Sequence, residues 1–282
     1  MKKLVVGTIA LSAVGLANGA FAADMPVKAP ILAPIIYNWT GCYVGGNAGW
    51  KWGRFTESAD TTAGIVASAP PTPFPAGHID LDHLETSSGA VGGQIGCRWE
   101  NAEHWVFGFE GDFDWTNLHG TVTNTLTSFP FVSGDTFENR VRWESSGRVT
   151  LGHSFDRVLV YGTGGIAFSR VTMDALLFPP TPLGTPSYGS DSTTLVGGTV
   201  GLGAAYALSK NWEIVAEYRH TFYAQSDFNL GSVTARCVLG TFAPAPVCAD
   251  TTATGHKGLE TDEVLFKLNY RFDWGSAVVA KY

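Results

Sequence analysis

The sequence predicts an all-β fold, an eight-stranded antiparallel up-and-down transmembrane β-barrel with four long outer loops and short periplasmic turns. Three observations predict it: an export-type N-terminus, a period-two alternation of apolar and polar residues in eight separate segments, and connectors that alternate between short and long.

The chain opens with Met1, Lys2 and Lys3, continues through the apolar run LVVGTIALSAVGL and reaches the small-residue pattern Ala20-Phe21-Ala22. That order reads as a secretory signal peptide over residues 1–22. Its apolar core is too short to cross a bilayer, and no other stretch approaches the roughly 18 continuous apolar residues a helical span needs. Residues 23–38 carry Pro26, Pro30 and Pro34, which favour an extended, solvated periplasmic lead-in. The barrel is expected over 39–282. With a formal net charge of −7 and no Lys/Arg cluster, the chain is not expected to bind nucleic acid.

The alternation is clearest in HWVFGFEGDFDWT. Trp105, Phe107, Phe109, Phe113 and Trp115 share one face, and Gly108, Glu110, Asp112 and Asp114 share the other. The last segment, DEVLFKLNYRFDW, repeats it, with Val264, Phe266, Leu268, Tyr270 and Phe272 set against Lys267, Asn269 and Arg271. The same dyad places strands at roughly 39–52, 88–100, 104–116, 139–152, 157–170, 194–208, 211–224 and 262–274. Each is long enough to cross a bilayer at a tilt, which takes about 9–11 residues. VLVYGTGGIAF and LVGGTVGLGAAYAL are Gly-rich and alternate least clearly.

The connectors after the second, fourth and sixth segments are short (NAEH, HSFD, SK), whereas those after the odd segments are long and rich in Thr, Ser, Pro and Gly. Short turns on the periplasmic side and long loops outside put both termini inside. Trp39, Trp99, Trp105, Trp143, Trp212 and Trp274 fall near strand ends, as expected of interfacial girdles. A soluble β-sandwich would alternate as well, but it would leave the export signal and the connector rhythm without a reason.

The polar face should line the interior. It collects Arg98, Arg142, Arg148, Arg219, Lys267 and Arg271 against Glu100, Glu110, Asp112, Asp114, Glu144, Glu213 and Glu217. An eight-stranded barrel has room inside for side chains and little else, so these groups must pair. They form either a packed polar plug or a narrow conduit whose ion pairs rearrange, with Gly45, Gly49, Gly92 and Gly96 leaving space beside the long side chains.

Four cysteines in an exported protein permit disulfides. Cys237 and Cys248, close together in one Pro/Thr-rich segment, suit a local loop staple. Cys42 and Cys97 share the parity of the lipid face on neighbouring strands, where they form either a cross-strand bond or two small packed groups. No catalytic constellation stands out, since Gly-x-Ser-x-Gly and His-Glu-x-x-His are both absent. His78, His83, His119 and His256 lie in or beside outer loops, either as ligands of a metal or an iron porphyrin or as solvated loop residues. No metal-ligand spacing recurs, and Asp80, Asp82 and Glu85 near two of them could equally bind a cation weakly. Neither a cofactor nor a metal is expected.

The opening WTGCYVGGNAGW and the ending VLFKLNYRFDWG, with GFEGDFDW and YGTGGIAF between them, resemble the alphaproteobacterial outer-membrane β-barrel family. That family holds surface antigens related to the OmpA transmembrane domain and to opacity proteins. The resemblance implies an outer-membrane protein in contact with lipid and lipopolysaccharide, delivered by periplasmic chaperones to the barrel assembly machinery. That machinery reads an aromatic-rich last strand, matched here by Tyr270 and Phe272, although this chain continues with DWGSAVVAKY. The implied role is structural and surface-exposed. Other members act as porins, or as haem-binding or adhesion receptors whose loops meet a host or environmental ligand.

Overall fold

A sheet whose strands all carry one apolar and one polar face exposes unpaired edges unless its first strand meets its last. In the computed structural model, which describes residues 37–66, 72–74, 76–125, 133–177, 187–238 and 247–272, the ring closes in that way. Its strands are β1 (Gly41–Thr61), β4 (Gly77–Glu100), β5 (Trp105–Thr123), β6 (Thr136–Phe155), β7 (Val158–Leu177), β8 (Ser187–Ala207), β9 (Trp212–Val238) and β10 (Val247–Arg271). A hairpin of β2 (Gly64–Val66) and β3 (Thr72–Phe74) lies in the first outer connection. The ring order β1-β10-β9-β8-β7-β6-β5-β4 joins each strand to its sequence neighbours and β1 to both β10 and β4. The Gly-rich pair β7 and β8 runs from Val158↔Tyr206 to Leu177↔Ser187 without a slip.

On the lower half of the strands the outward residues are mostly apolar, large side chains interspersed with glycine and alanine. Trp99, Trp105, Phe107, Trp212, Tyr270 and Phe272 stand exposed near the short-turn end, and Trp50, Trp52, Trp115, Tyr218 and Phe222 some way above them. From Trp105 to Trp115, β5 climbs roughly 25 Å at a usual barrel tilt, the height of a membrane-facing apolar band.

Above Trp52 and Trp115 the strands continue and their polarity inverts. On β1 the outward residues become Arg54, Thr56, Ser58 and Asp60, while Phe55 and Ala59 turn inward and are fully buried. Phe137, Val141, Val171, Met173, Phe228, Leu230 and Leu259 complete an apolar core inside the upper barrel. The strands are therefore longer than the sequence alternation suggested. Their outer ends read as loop because the rule used, apolar outward, reverses where lipid gives way to water.

A second apolar cluster, Tyr37, Trp39, Val106, Leu159, Tyr161, Ala205, Ala207 and Val215, fills the periplasmic end. Two expectations are corrected there. Trp39 belongs to no lipid girdle: it is 1 % exposed inside the mouth. Its indole N–H donates to the Asp156 carbonyl at 3.0 Å, and its backbone N–H donates to Glu100 Oε2 at 2.8 Å. The end of the lead-in is likewise packed, with Tyr37 edge-on to Trp39 at 4.9 Å and under the Arg271 guanidinium at 4.4 Å. The proposed signal peptide, the rest of the lead-in and Trp274 lie outside the described residues.

Truncating Trp39 to Ala should destabilise the refolded barrel by about 3–5 kcal/mol, the usual cost of deleting a buried Trp. Urea unfolding in detergent micelles, followed by tryptophan fluorescence, measures it.

Candidate functional site: the charged lumen

Between the two apolar clusters the inward positions are charged, and small residues decide how those charges meet. Tyr43 on β1, Gly96 on β4 and Glu110 on β5 are successive register partners. A Cβ on Gly96 would lie 2.6 Å from the Tyr43 ring carbon that bears the hydroxyl; without one, Tyr43 lies across the glycine and donates to Glu110 Oε2 at 2.7 Å. The device recurs across the ring. Tyr161 on β7 crosses Gly203 on β8 and donates to Glu217 Oε2 on β9 at 2.6 Å. Asn47 likewise reaches across Gly92 to Asp114 at 2.8 Å.

The carboxylates so placed surround three cations. Arg148 donates to Glu110 Oε1 and Glu217 Oε1, both at 2.5 Å, and to Asp112 Oδ2 at 2.7 Å. Lys267 bridges Glu110 at 2.7 Å and Glu217 at 2.9 Å. Arg219 lies between Glu263 at 2.8 Å, Asp112 and Glu217 at 3.2 Å and Asp114 at 3.5 Å. Above them Lys51 pairs with Glu263 at 3.0 Å and with Glu144, which also accepts from the Tyr223 hydroxyl at 3.0 Å. Below them Arg98 pairs with Glu213 at 2.8 Å and lies 4.3 Å over the Tyr43 ring. Amide side chains extend the network: Gln94 donates to Asn269 at 2.6 Å, and Asn269 donates to Glu213 at 2.7 Å beside Arg98.

Of the residues expected in the lumen, Arg98, Glu110, Asp112, Glu144, Arg148, Glu213, Glu217, Arg219 and Lys267 meet in this network. Arg271 sits lower, at the mouth, where it donates to the Lys210 carbonyl at 2.8 Å and to the Asn38 carbonyl. Glu100 is at the rim, accepting from Trp39 and Ser154. Arg142 is outside the lumen altogether. β6 carries an extra residue against β7 between Val141 and Glu144, and this bulge reverses the parity above it. Lys51 and Glu263 were overlooked although they share parity with Asn47 and Lys267. Lys257 and Glu57 were hidden in assumed loops; they form a buried pair at 3.3 Å inside the apolar core, with Lys257 between the rings of Phe55 and Phe228.

Cys42 and Cys97 are register partners on β1 and β4, and a disulfide joins them. Cys237 and Cys248 are backbone ladder partners of β9 and β10, and their side chains lie outside those described. Tyr270 and Phe272 face outward at the lower end of β10, edge-to-face at 5.5 Å.

At the outer rim, four strands are laced by alternating carboxylates and imidazoles. Asp60 accepts from His78 Nδ1 at 2.5 Å and from His256 Nε2 at 2.9 Å; Asp80 meets His78 Nε2 at 3.1 Å, and Asp227 meets His256 Nδ1 at 2.6 Å. Each ring has a carboxylate at both nitrogens, and only an imidazolium can donate from both. Hydrogen bonding to Asp60 first, then to Asp80, raises the His78 pKa above its ordinary value. His256 is raised chiefly by Asp227. Asp60 is lowered, chiefly by His78. Among the described residues no group of His, Cys, Asp and Glu is arranged to hold a metal ion.

Residues 8–272 match the family described as outer membrane protein beta-barrel domain. The chain belongs to that family. Within it, the chain is 31% identical over 238 residues to a 31 kDa outer-membrane immunogenic protein of Brucella melitensis, covering 78% of this chain and 87% of the relative. It is 28% identical over 244 residues to a 25 kDa outer-membrane immunogenic protein of Brucella canis, covering 86% and 93%. The crystal structure of the outer membrane protein OprG from Pseudomonas aeruginosa aligns with a TM-score of 0.40 at 9% identity, over 84% of this chain and 100% of that one. This family member is an outer-membrane barrel, and its described lumen holds an ionic network.

Replacing Arg148 with Met should cost about 3–5 kcal/mol, because it leaves three carboxylates facing one another with too little positive charge. Adding Glu217→Gln should restore part of that loss, and urea titrations of the single and double variants measure both. At the rim, the histidine contribution is complete below the ordinary imidazole pKa and is lost as pH rises through the raised values. The Asp60 contribution is present above the ordinary carboxylate range and is lost as pH falls through its lowered value. Proteolysis of the outer rim should therefore be slowest between those limits and faster in alkali, and a His78→Gln/His256→Gln variant should lose the alkaline change.

Proposed function

We propose that this protein is a non-enzymatic structural component of the outer membrane, a sealed and stiff barrel that carries its outer loops to the cell surface and conducts nothing at rest. One observation carries the reading: the described lumen is filled in three layers. Tyr37 and Trp39 cap the periplasmic mouth, the Arg148 network fills the middle, and Phe55, Phe137 and Phe228 pack the top with Lys257 and Glu57 buried among them. Water and ions would have to cross both apolar layers and separate paired charges. The carboxylates of the plug are locked against cations, where no substrate reaches them. Relatives named as outer-membrane immunogenic proteins support the surface part of the reading.

Planar-bilayer recordings test it. The refolded protein should leave the membrane at its baseline conductance, and a Phe55→Ala/Phe137→Ala/Phe228→Ala variant, which thins the upper layer, should leave it there or add only brief openings. Steady conductance from the unmodified protein, altered by Arg148→Met or Glu110→Gln, would replace this reading with a narrow pore.

A further inference from the structure

The bulge that turns Arg142 out of the lumen places it at a particular height. Between Val141↔Val171 and Glu144↔Ser169, Arg142 and Trp143 of β6 together oppose Arg170 of β7. Bulges re-aim side chains, and this one puts two guanidinium-bearing positions side by side on the outer face. Both arginines are exposed. Arg170 donates to Ser192 Oγ at 2.8 Å, and no carboxylate among the described residues pairs with either cation. Their neighbour Arg140, by contrast, is tied to Glu138 at 2.6 Å.

Directly beneath lies the top of the aromatic belt. Trp143 is the register partner of Trp115 and stacks on Phe113 with centroids 5.6 Å apart and planes 21° from parallel. Such rings mark the level where acyl chains meet headgroups. Below the stack, on β4 to β7, an apolar groove opens over Gly111, Gly147 and Gly164, walled by Ile95, Val149 and Ile166. A Cβ on Gly147 would meet nothing within 4 Å. The same face therefore presents, from the outside downward, two cations without counter-charges, a stacked aromatic pair and a trough for a hydrocarbon chain.

We propose that this face binds one phosphorylated glycolipid of the outer leaflet, its phosphate held by Arg142 and Arg170 and an acyl chain laid in the groove over Gly147. Two guanidinium forks match the oxygens of a phosphate, and the chain replaces the side chains that the glycines lack. The site is independent of whether the lumen conducts.

Native mass spectrometry of the refolded full chain released from micelles tests it, with purified diphosphorylated lipid A as the probe. The expected result is retention of about one lipid per barrel, weakened about tenfold in Arg142→Gln/Arg170→Gln, the effect of losing charge-assisted bonds to one phosphate. Gly147→Leu, which fills open space without touching the ion pairs, should weaken binding as well, and Arg157→Gln at a periplasmic turn should leave it unchanged. Heat-modifiable gel mobility confirms that each variant is folded. Four results would each overturn the proposal: no lipid retained by the unmodified protein, equal retention of fully dephosphorylated lipid A, unaltered binding in the double arginine variant, or displacement by inorganic phosphate alone at concentrations comparable to the lipid's.

Discussion

A ring of eight strands encloses a space only as wide as the side chains that point into it, and the rest of this structure follows from that limit. Water cannot solvate an inward charge there, so every such charge needs a partner on another strand. Nor can a bulky group be accepted at every position, so Gly92, Gly96 and Gly203 stand where side chains from the flanking strands must meet. The pairs Tyr43 with Glu110 and Tyr161 with Glu217 repeat one solution on opposite walls of the ring. Arg148 and Lys267 then join the two carboxylates across the middle.

Such a network is poor evidence for stability in itself, since desolvating the ions offsets most of their attraction. What it supplies is register. Sliding one strand by a single residue would turn its charges toward lipid and leave their partners without counter-ions, a cost several times larger than the loss of a few backbone bonds. The apolar layers at either end act differently. They tolerate small displacements, but they exclude water from the charges between them and keep each ion pair strong.

The fold class, the strand order and the alternation of turns and loops were legible in the sequence because one rule, apolar outward and polar inward, holds along the membrane-spanning part of each strand. Most of the lumen network followed from the same parity, including Arg98, Glu110, Arg148 and Glu217. Where that rule stopped, so did the reading. Above Trp52 and Trp115 solvent replaces lipid, the alternation changes sign, and Phe55, Phe137 and Lys257 looked like loop residues. Arg142 was assigned to the lumen because a single-residue bulge leaves no mark in a period-two pattern until its partner strand is known. Trp39 was given to the lipid interface because an aromatic residue near a strand end suits a girdle and a plug equally well. Its burial and the Asp156 carbonyl that meets its indole separate the two.

The upper strands also carry the wall well past the lipid-facing belt. From Trp52 to Thr61, β1 rises roughly 20 Å beyond the aromatic belt, still laddered to β4 and β10, whereas the β4–β5 and β8–β9 ladders end near the belt at Ala90↔Thr116 and Gly197↔Tyr223. Above the belt the strands thus form a pedestal of two four-stranded sheets that carries their described outer ends beyond the aromatic girdle. The pedestal is held by its own apolar filling and by the imidazole lacing at its rim. The contacts that hold these outer strand ends are therefore separate from those that hold the lipid-facing wall below.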